Sequence, residues 1–380
     1  MTVAPIFGMR LFGPQSPLPY PRLLLHAMFD FVRKIGFFMY GRGAFTRKRH
    51  LQLMEGPEGQ YDFPVTKSDG NKLSVLITGA NSGIGFASAK FLASLGAQVH
   101  LVCRNKERGE NAIAEIKSSC PEAQVFLWQC DVSRPAEIKA MVASFAAKGY
   151  ALDVLVNNAG VMLDKRSETE DGIETTFATN TLSTFYLTRQ CLPLMKDSTH
   201  ARVINIASGG GLPVPIARKY RGNYDWELRQ KGVYNGVEAY AHTKRQQMVL
   251  AEYFRDVEGP NYPNVIFVSC HPKWAATEGL AKSMPSFHNK LRKSLLTTEE
   301  GADIINWLTT IDVERLESGE FYEGRGKGQK EGWWSASWVK GSDPEVPIFI
   351  DYCLSLLAKT VDEKSGEKNE SESNSDSAAN

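Results

Sequence analysis

Between residues 72 and about 325 the chain alternates short β-rich runs with longer stretches of helical periodicity. The runs expected as strands are Ser74–Thr78, Gln98–Cys103, Val125–Gln129, Asp153–Asn157, Val203–Ala207 and Val265–Cys270, with a weaker one near Phe321. Several are largely apolar, as strands buried on both faces must be. Helical segments such as Gly85–Leu95 and Ala239–Arg255 sit between them. Strand–helix–strand repetition implies right-handed crossovers and an α/β, doubly wound parallel sheet of Rossmann type, with about seven strands. No internal repeat is visible.

The flanks read differently. Residues 1–71 form an extension whose first 22 residues are rich in Pro and Gly. Leu23 to Tyr40 reads as a helix with His26, Asp30, Arg33 and Lys34 on one face and a broad apolar face opposite. The basic cluster Arg42, Arg47, Lys48, Arg49 and His50 follows. Three readings stay open: the helix lies in a membrane interface, docks on the core as a lid, or belongs to an organellar targeting segment. Residues 326–361 are expected as a C-terminal cap, where Trp333, Trp334 and Trp338 border the pocket, meet a membrane or simply pack. Residues 362–380 lack large apolar side chains and are expected to be a disordered tail.

Composition narrows the class. The 380 residues are 42% hydrophobic and 23% charged with a net charge of +1, which suits a globular protein and gives no field for nucleic acid. The 6 cysteines form no CxxC pair and have no His at ligand spacing, so reduced thiols and no metal site are expected. No apolar run reaches the ~18 residues of a membrane span. The stretch near Leu23 is broken by Asp30, Arg33 and Lys34, so a secretory signal is not expected. A cytoplasmic place, or one on the cytosolic face of a membrane, follows. Peripheral membrane contact would run through residues 20–50, and a homodimer is the other assembly open to the chain.

The first strand runs into Thr78-Gly79-Ala80-Asn81-Ser82-Gly83-Ile84-Gly85 and then a helix. Glycines there permit the turn and let a pyrophosphate approach the backbone, while the helix N-terminus holds the anion. The second strand ends in Cys103-Arg104. An NAD site usually has Asp or Glu there for the ribose diol, whereas Arg104 can pair with a 2′-phosphate, so NADP is expected. Asp131-Val132 follows the third strand and Asn157-Asn158-Ala159-Gly160 the fourth. Taken alone, the Asn-Asn-Ala-Gly run could be a plain turn, and Arg104 a solvated surface residue.

The ordered set TGANSGIG at 78–85, NNAG at 157–160, Ser208 after a strand, and Tyr240-Ala241-His242-Thr243-Lys244 resembles the short-chain dehydrogenase/reductase superfamily over roughly residues 72–325. Within it, Tyr240 to Gln247, the segment Met284-Pro285-Ser286-Phe287-His288 and the helical extension resemble the branch called dehydrogenase/reductase SDR family member 12. The resemblance implies cofactor contacts from Gly79, Asn81, Ser82, Gly83, Ile84, Gly85, Arg104, Asp131, Val132, Asn158, Ala159, Gly160, Tyr240, Lys244, Pro272 and Thr277. It implies Tyr240 as acid/base, Ser208 as the group orienting the substrate oxygen, and Lys244 as the partner of the nicotinamide ribose. Asn180 matches the family Asn supporting a water-linked proton relay. Chemistry agrees with the residue types: a phenol titrates near ~10, and an ammonium one helical turn on is expected to lower it.

One departure stands out. After the sixth strand the family has Pro-Gly, and this chain has Pro272-Lys273. His271 before it reads as a structural strand-end histidine rather than a catalytic one. The stretch 209–239 carries Tyr220, Tyr224, Trp226 and Tyr234 and is expected as one wall of the substrate pocket or as a surface excursion packed by its own aromatics. The expected activity is NADP(H)-dependent interconversion of a carbonyl and an alcohol, with a weak hint of a lipophilic substrate. The competing class is a cofactor-binding scaffold or redox sensor with little turnover, favoured only by Lys273.

Overall fold

The computed structural model describes residues 36, 38–56, 63–67, 70–220, 223–229, 234–328 and 345–362. Its main sheet contains β1 Ser74–Thr78, β2 Gln98–Cys103, β3 Val125–Gln129, β4 Val154–Asn157, β5 Arg202–Ile206, β8 Ile266–His271, β9 Phe321–Glu323 and β10 Gly326–Lys327. A separate hairpin pairs β6 Arg218–Tyr220 with β7 Asn223–Asp225. The spatial order in the sheet is β10-β9-β8-β5-β4-β1-β2-β3. Neighbours are parallel except β9 with β10. The expected parallel sheet is therefore present, with an antiparallel edge strand too short to read from the sequence.

Strands β1, β4 and β5 are buried at every position. Alternation explains how one strand serves both faces. Leu76 enters the apolar cluster on one side, Val75 and Ile77 the cluster on the other. The crossover helices are α2 Gly83–Ser94, α3 Lys106–Ser119, α4 Pro135–Ala147, α5 Ser183–Met195 and α6 Gly236–Tyr253. Two short helices, α7 Glu278–Ser283 and α8 Pro285–Leu291, precede α9 Thr298–Thr310, which packs on α2. The chain runs outward from β1 to β2 and β3, then returns to β4 on the other flank of β1. That reversal opens a crevice at the carboxyl ends of β1 and β4, where ligands of such sheets bind.

Both flanks reach the core. Helix α1 Arg47–Met54 and the helical residues 38–44 belong to the extension. They lie on the β8–β9 side: Tyr40 Oη donates to Glu323 at 3.3 Å and Arg47 Nε donates to Glu300 at 2.8 Å. At the other end, α10 Val346–Leu357 buries Phe349, Ile350 and Cys353 in the same cluster as Leu155 and Val203. Burying a side chain like Phe349 or Ile350 contributes ~1.5–3 kcal/mol relative to exposure. The aromatic stretch 209–239 is held by this helix, since Trp226 lies 5.3 Å from Phe349 and 6.2 Å from Tyr352. It is thus packed by the C-terminal part of the chain rather than by its own aromatics alone. Of the helix expected at Leu23–Tyr40, only the end falls among the described residues. The Trp333, Trp334 and Trp338 cluster and residues 363–380 of the expected tail 362–380 lie outside them, while Asp362 ends the helical turn Ala358–Asp362.

Candidate active site

The turn between β1 and α2 is built on glycines for steric reasons. Gly79 and Gly83 have φ of +65° and +60°, in the left-handed region that favours glycine. Gly85 packs so tightly that a Cβ would fall on the side-chain amide of Asn158 and lie 2.8 Å from the Gly79 carbonyl. Ser82 caps α2 from an extended conformation without any side-chain cap bond. The first amides of the helix therefore keep their capacity for an anion. Asn81 is half-buried in the turn, and Ile84 lines the cleft below it.

At the end of β2, Cys103 is 2% exposed and its thiol rests against the amides of Ala80 and Asn81. Burial pushes that thiol up to about 11. Among the described residues, the end of β2 itself carries no carboxylate for a ribose diol. Arg104 lines the cleft with its side chain 75% exposed, and its Nη1 is 3.5 Å from Asp131 Oδ2. Asp131 is braced from behind, its Oδ1 accepting from the Ser133 amide at 3.0 Å and hydroxyl at 2.7 Å. Val132 is buried in an apolar cluster, which leaves its main chain as the part for a ligand.

Thr78, at the end of β1, ties the first turn to the segment after β4. Its Oγ1 accepts from the amides of Asn158 at 3.0 Å and Ala159 at 2.9 Å. The Asn158 side chain donates to the Thr78 carbonyl at 2.8 Å. Asn157 instead points into the sheet, donating to Thr188 and Asn205. Gly160 is where the next group arrives, for a Cβ there would lie 3.4 Å from both Asn180 Oδ1 and Lys244 Nζ. Asn180 sits not in regular α-helix but in the π-turn Ala178–Leu182 leading into α5. Such turns occur often at functional sites. The Asn180 side chain grips Val161, accepting from its amide at 2.8 Å and donating to its carbonyl at 2.9 Å.

Ser208 follows β5, and Tyr240 and Lys244 lie on α6, whose N-terminus is capped by Asn235. Ser208 and Tyr240 line the same cleft, with Ser208 near enough to the phenol to lower it, and Lys244 Nζ lies 5.3 Å from the Tyr240 ring centre. Lys244 is 3% exposed, donating to the Ile206 carbonyl at 2.7 Å and to Gln247 Oε1 at 2.8 Å. Burial pushes Tyr240 up to about 12, opposed by Ser208, and pulls Lys244 down to about 7. The expected lowering of the phenol by Lys244 is therefore not what this arrangement gives. Both groups lose hydration, and the ammonium is turned toward Ile206 and Gln247.

At the end of β8, His271 is 2% exposed, and desolvation holds it neutral by pulling it down to about 3. Pro272 lines the cleft. Lys273 has φ +60°, the conformation glycine would take, and its Nζ is buried with no hydrogen-bond partner among the described residues. Thr277 caps α7, accepting from Leu280 N at 3.1 Å, with its methyl 3.8 Å from where a Gly83 Cβ would be. The cleft that these groups share has a volume of about 1410 Å³.

Four residues have roles that the sequence did not reveal. Thr78 braces the Asn158–Ala159 turn as described. Gln247 accepts from Lys244 and passes its amide to Thr184 at 3.1 Å, and Thr184 donates to the Asn180 carbonyl at 2.8 Å. This links Asn180 to Lys244 through side chains. The i, i+3 spacing of Lys244 and Gln247 on a helix was the available signal. Phe45, fully buried against His271, had none.

A family model described as short chain dehydrogenase matches residues 73–221. Dehydrogenase/reductase SDR family member 12 of Bos taurus is 38% identical over 251 residues, covering 66% of this chain and 76% of that protein. Retinol dehydrogenase 12 of Homo sapiens is 43% identical over 170 residues, covering 45% of this chain and 52% of that protein. A solved but uncharacterised protein from Mycobacterium Paratuberculosis is 25% identical with a TM-score of 0.56, covering 76% of this chain and 94% of its own.

Proposed function

We propose, for a chain that belongs to the short-chain dehydrogenase/reductase family of oxidoreductases, that it interconverts a lipophilic carbonyl and its alcohol with NADP(H). The observation that carries this is that Ser208 and Tyr240 line one cleft with Ile84 of the glycine turn, with the Lys244 ammonium 5.3 Å from the Tyr240 ring centre. Family membership brings a nicotinamide dinucleotide and a small carbonyl or alcohol substrate. The residues fit such a cofactor: the left-handed glycines, the open amides of α2 and the Asn158 brace make a cradle that side chains would fill. When bound, the dinucleotide supplies or takes the hydride.

The chain's own groups do the remainder. Tyr240 holds its proton in the free site, the state needed to protonate a reduced carbonyl oxygen. Ser208 Oγ orients that oxygen. Lys244 and Asn180 flank Gly160, where the nicotinamide ribose would lie. Arg104 selects the 2′-phosphate of NADP, because it is exposed on the cleft and only loosely held by Asp131. Gly79, Asn81, Ser82, Gly83, Ile84 and Gly85 seat the pyrophosphate side, Asp131, Val132, Asn158 and Ala159 the adenosine side, and Gly160, Pro272 and Thr277 the nicotinamide side.

A lipophilic substrate suits the apolar walls from Trp274, Met284 and Phe287. The likeness to retinol dehydrogenase 12 agrees with it, over 45% of this chain. Lys273 was the ground for a scaffold of little turnover. Its glycine-like φ leaves the loop shape intact and weakens that ground. We keep the division into an extension over 1–71, a catalytic domain over 72–325, a cap over 326–361 and a tail. No helix among the described residues is long and apolar enough to cross a membrane. Peripheral contact through residues 20–50 would rely mainly on the part before Phe38, because Phe45 and His50 are already buried against the protein. The test is NADPH oxidation by the full chain across aldehydes, quinones, steroid ketones and retinaldehydes. Turnover of an apolar carbonyl is expected, and binding of NADPH with no turnover across the panel would replace the enzyme reading with the scaffold.

A further inference from the structure

The segment leaving β8 carries Pro272, Trp274 and Thr277 past the cleft, and the N-terminal extension is packed against it. Phe45 is 0% exposed. Its ring stands edge-on to His271 at 4.3 Å and to Trp274 at 5.6 Å. It also covers Gly209, the residue after Ser208, where a Cβ would lie 2.7 Å from Phe45 Cζ and 3.3 Å from His271 Cδ2. The main chain joins in. The Trp274 amide donates to the Phe45 carbonyl at 3.1 Å, and the Leu296 amide donates to the Trp274 carbonyl at 2.8 Å. Trp274 is thus held between the extension on one side and Leu296 on the other.

We propose that Phe45 is a positioning residue of the active site. Wedged between the Ser208–Gly209 turn and the His271–Trp274 segment, it sets the wall on which the nicotinamide end of the cofactor and the substrate rest. The inference rests on the cofactor site proposed above. Its physical ground is that ring packing, joined by the Phe45–Trp274 main-chain hydrogen bond, fixes this wall. Both ring nitrogens of His271 lack a hydrogen-bond partner among the described residues, so no polar contact holds that ring. Close-packed interiors pass a change of one ring on to their neighbours. Phe38 extends the same wall: its ring stacks on Trp274 at 6.0 Å and lines the cleft. The extension thereby contributes to the site itself, as a lid would.

The experiment compares Phe45→Ala, Phe45→Leu and Gly209→Ala in the full chain. It reads NADPH affinity, kcat and KM separately, and amide hydrogen exchange over residues 272–277. Phe45→Ala should weaken NADPH about 10-fold and speed exchange at Trp274, with Phe45→Leu restoring most of both. Gly209→Ala, which pushes on the same ring from the opposite side, should impair the native chain and be partly rescued by Phe45→Leu. That rescue keeps the test decisive even where Phe45→Ala folds poorly, since a general loss of stability would add rather than cancel. Unchanged exchange and unchanged NADPH affinity in Phe45→Ala, or strictly additive defects in Gly209→Ala with Phe45→Leu, would overturn the proposal. A native chain that binds no NADPH while its exchange still responds to Phe45 would instead overturn the cofactor reading.

Discussion

The two walls of the cleft are held by different means. On the β1–β4 side, backbone amides, glycines and one hydroxyl do the holding. Thr78 alone accepts from two amides of the Asn158–Ala159 turn, and Gly85 leaves no room for a side chain. On the β8–β9 side the wall is assembled from rings far apart in the chain: Phe38 and Phe45 from the extension, His271 and Trp274 from the end of β8, Phe287 from α8. In the proposed reading the first wall meets the dinucleotide that the family shares, so a pyrophosphate and a ribose would dictate its atoms. The second would meet the substrate, and there any apolar set that fills the space will serve.

That difference can be attacked from the first wall. Gly85→Ala forces a Cβ onto the Asn158 side chain, which braces the glycine turn, and onto the Gly79 carbonyl within it. Overpacking of this kind costs about 1–3 kcal/mol of stability. Dinucleotide affinity should fall too, by up to the equivalent factor of roughly 5- to 150-fold. A variant with native melting temperature and native NADPH affinity would show that the turn is looser than its contacts imply.

The next effect is more selective. Arg104→Ala removes one charge-assisted contact worth about 1.5–3 kcal/mol, or roughly 10- to 150-fold, for NADPH alone. Fluorescence titration should show NADH nearly unaffected. Equal losses for both cofactors would take Arg104 out of the site and leave NADP preference without a cause.

The smallest effect concerns Lys244, which stands between the walls. Burial lowers it from 10.5 to about 7 in the folded chain. Between those values the unfolded chain binds the extra proton, so this group makes stability rise with pH across that window. Lys244→Met removes the group. The advantage of the native chain over the variant in urea unfolding should therefore grow from pH 7 to pH 9. A constant difference would mean that the folded lysine titrates at its ordinary value.

The same contrast explains what could be read from the sequence. The strand runs were legible because buried parallel strands demand continuous apolar residues, and β1, β2 and β3 begin and end where the runs do. The glycine turn, Asn158–Gly160, Ser208, Tyr240 and Lys244 were legible because chemistry fixes residue type at each position. The side-chain link from Lys244 through Gln247 and Thr184 to Asn180 was not, because Gln and Thr at those positions have many equally good uses. Phe45 was hidden for a stronger reason: one aromatic in a basic, poorly periodic segment carries no sign of the two loops it will separate. The turned-away ammonium of Lys244 was hidden as well, since spacing places it one turn from Tyr240 but does not say which carbonyl it will choose.

The proposed oxidoreductase activity depends most on Tyr240 as the proton donor. Its most direct test is single-turnover NADPH oxidation by Tyr240→Phe with whichever carbonyl the native chain reduces. Removing a general acid while keeping the ring should slow the step at least ~10²-fold, with NADPH affinity unchanged. A variant that oxidises NADPH at the native rate would contradict the account.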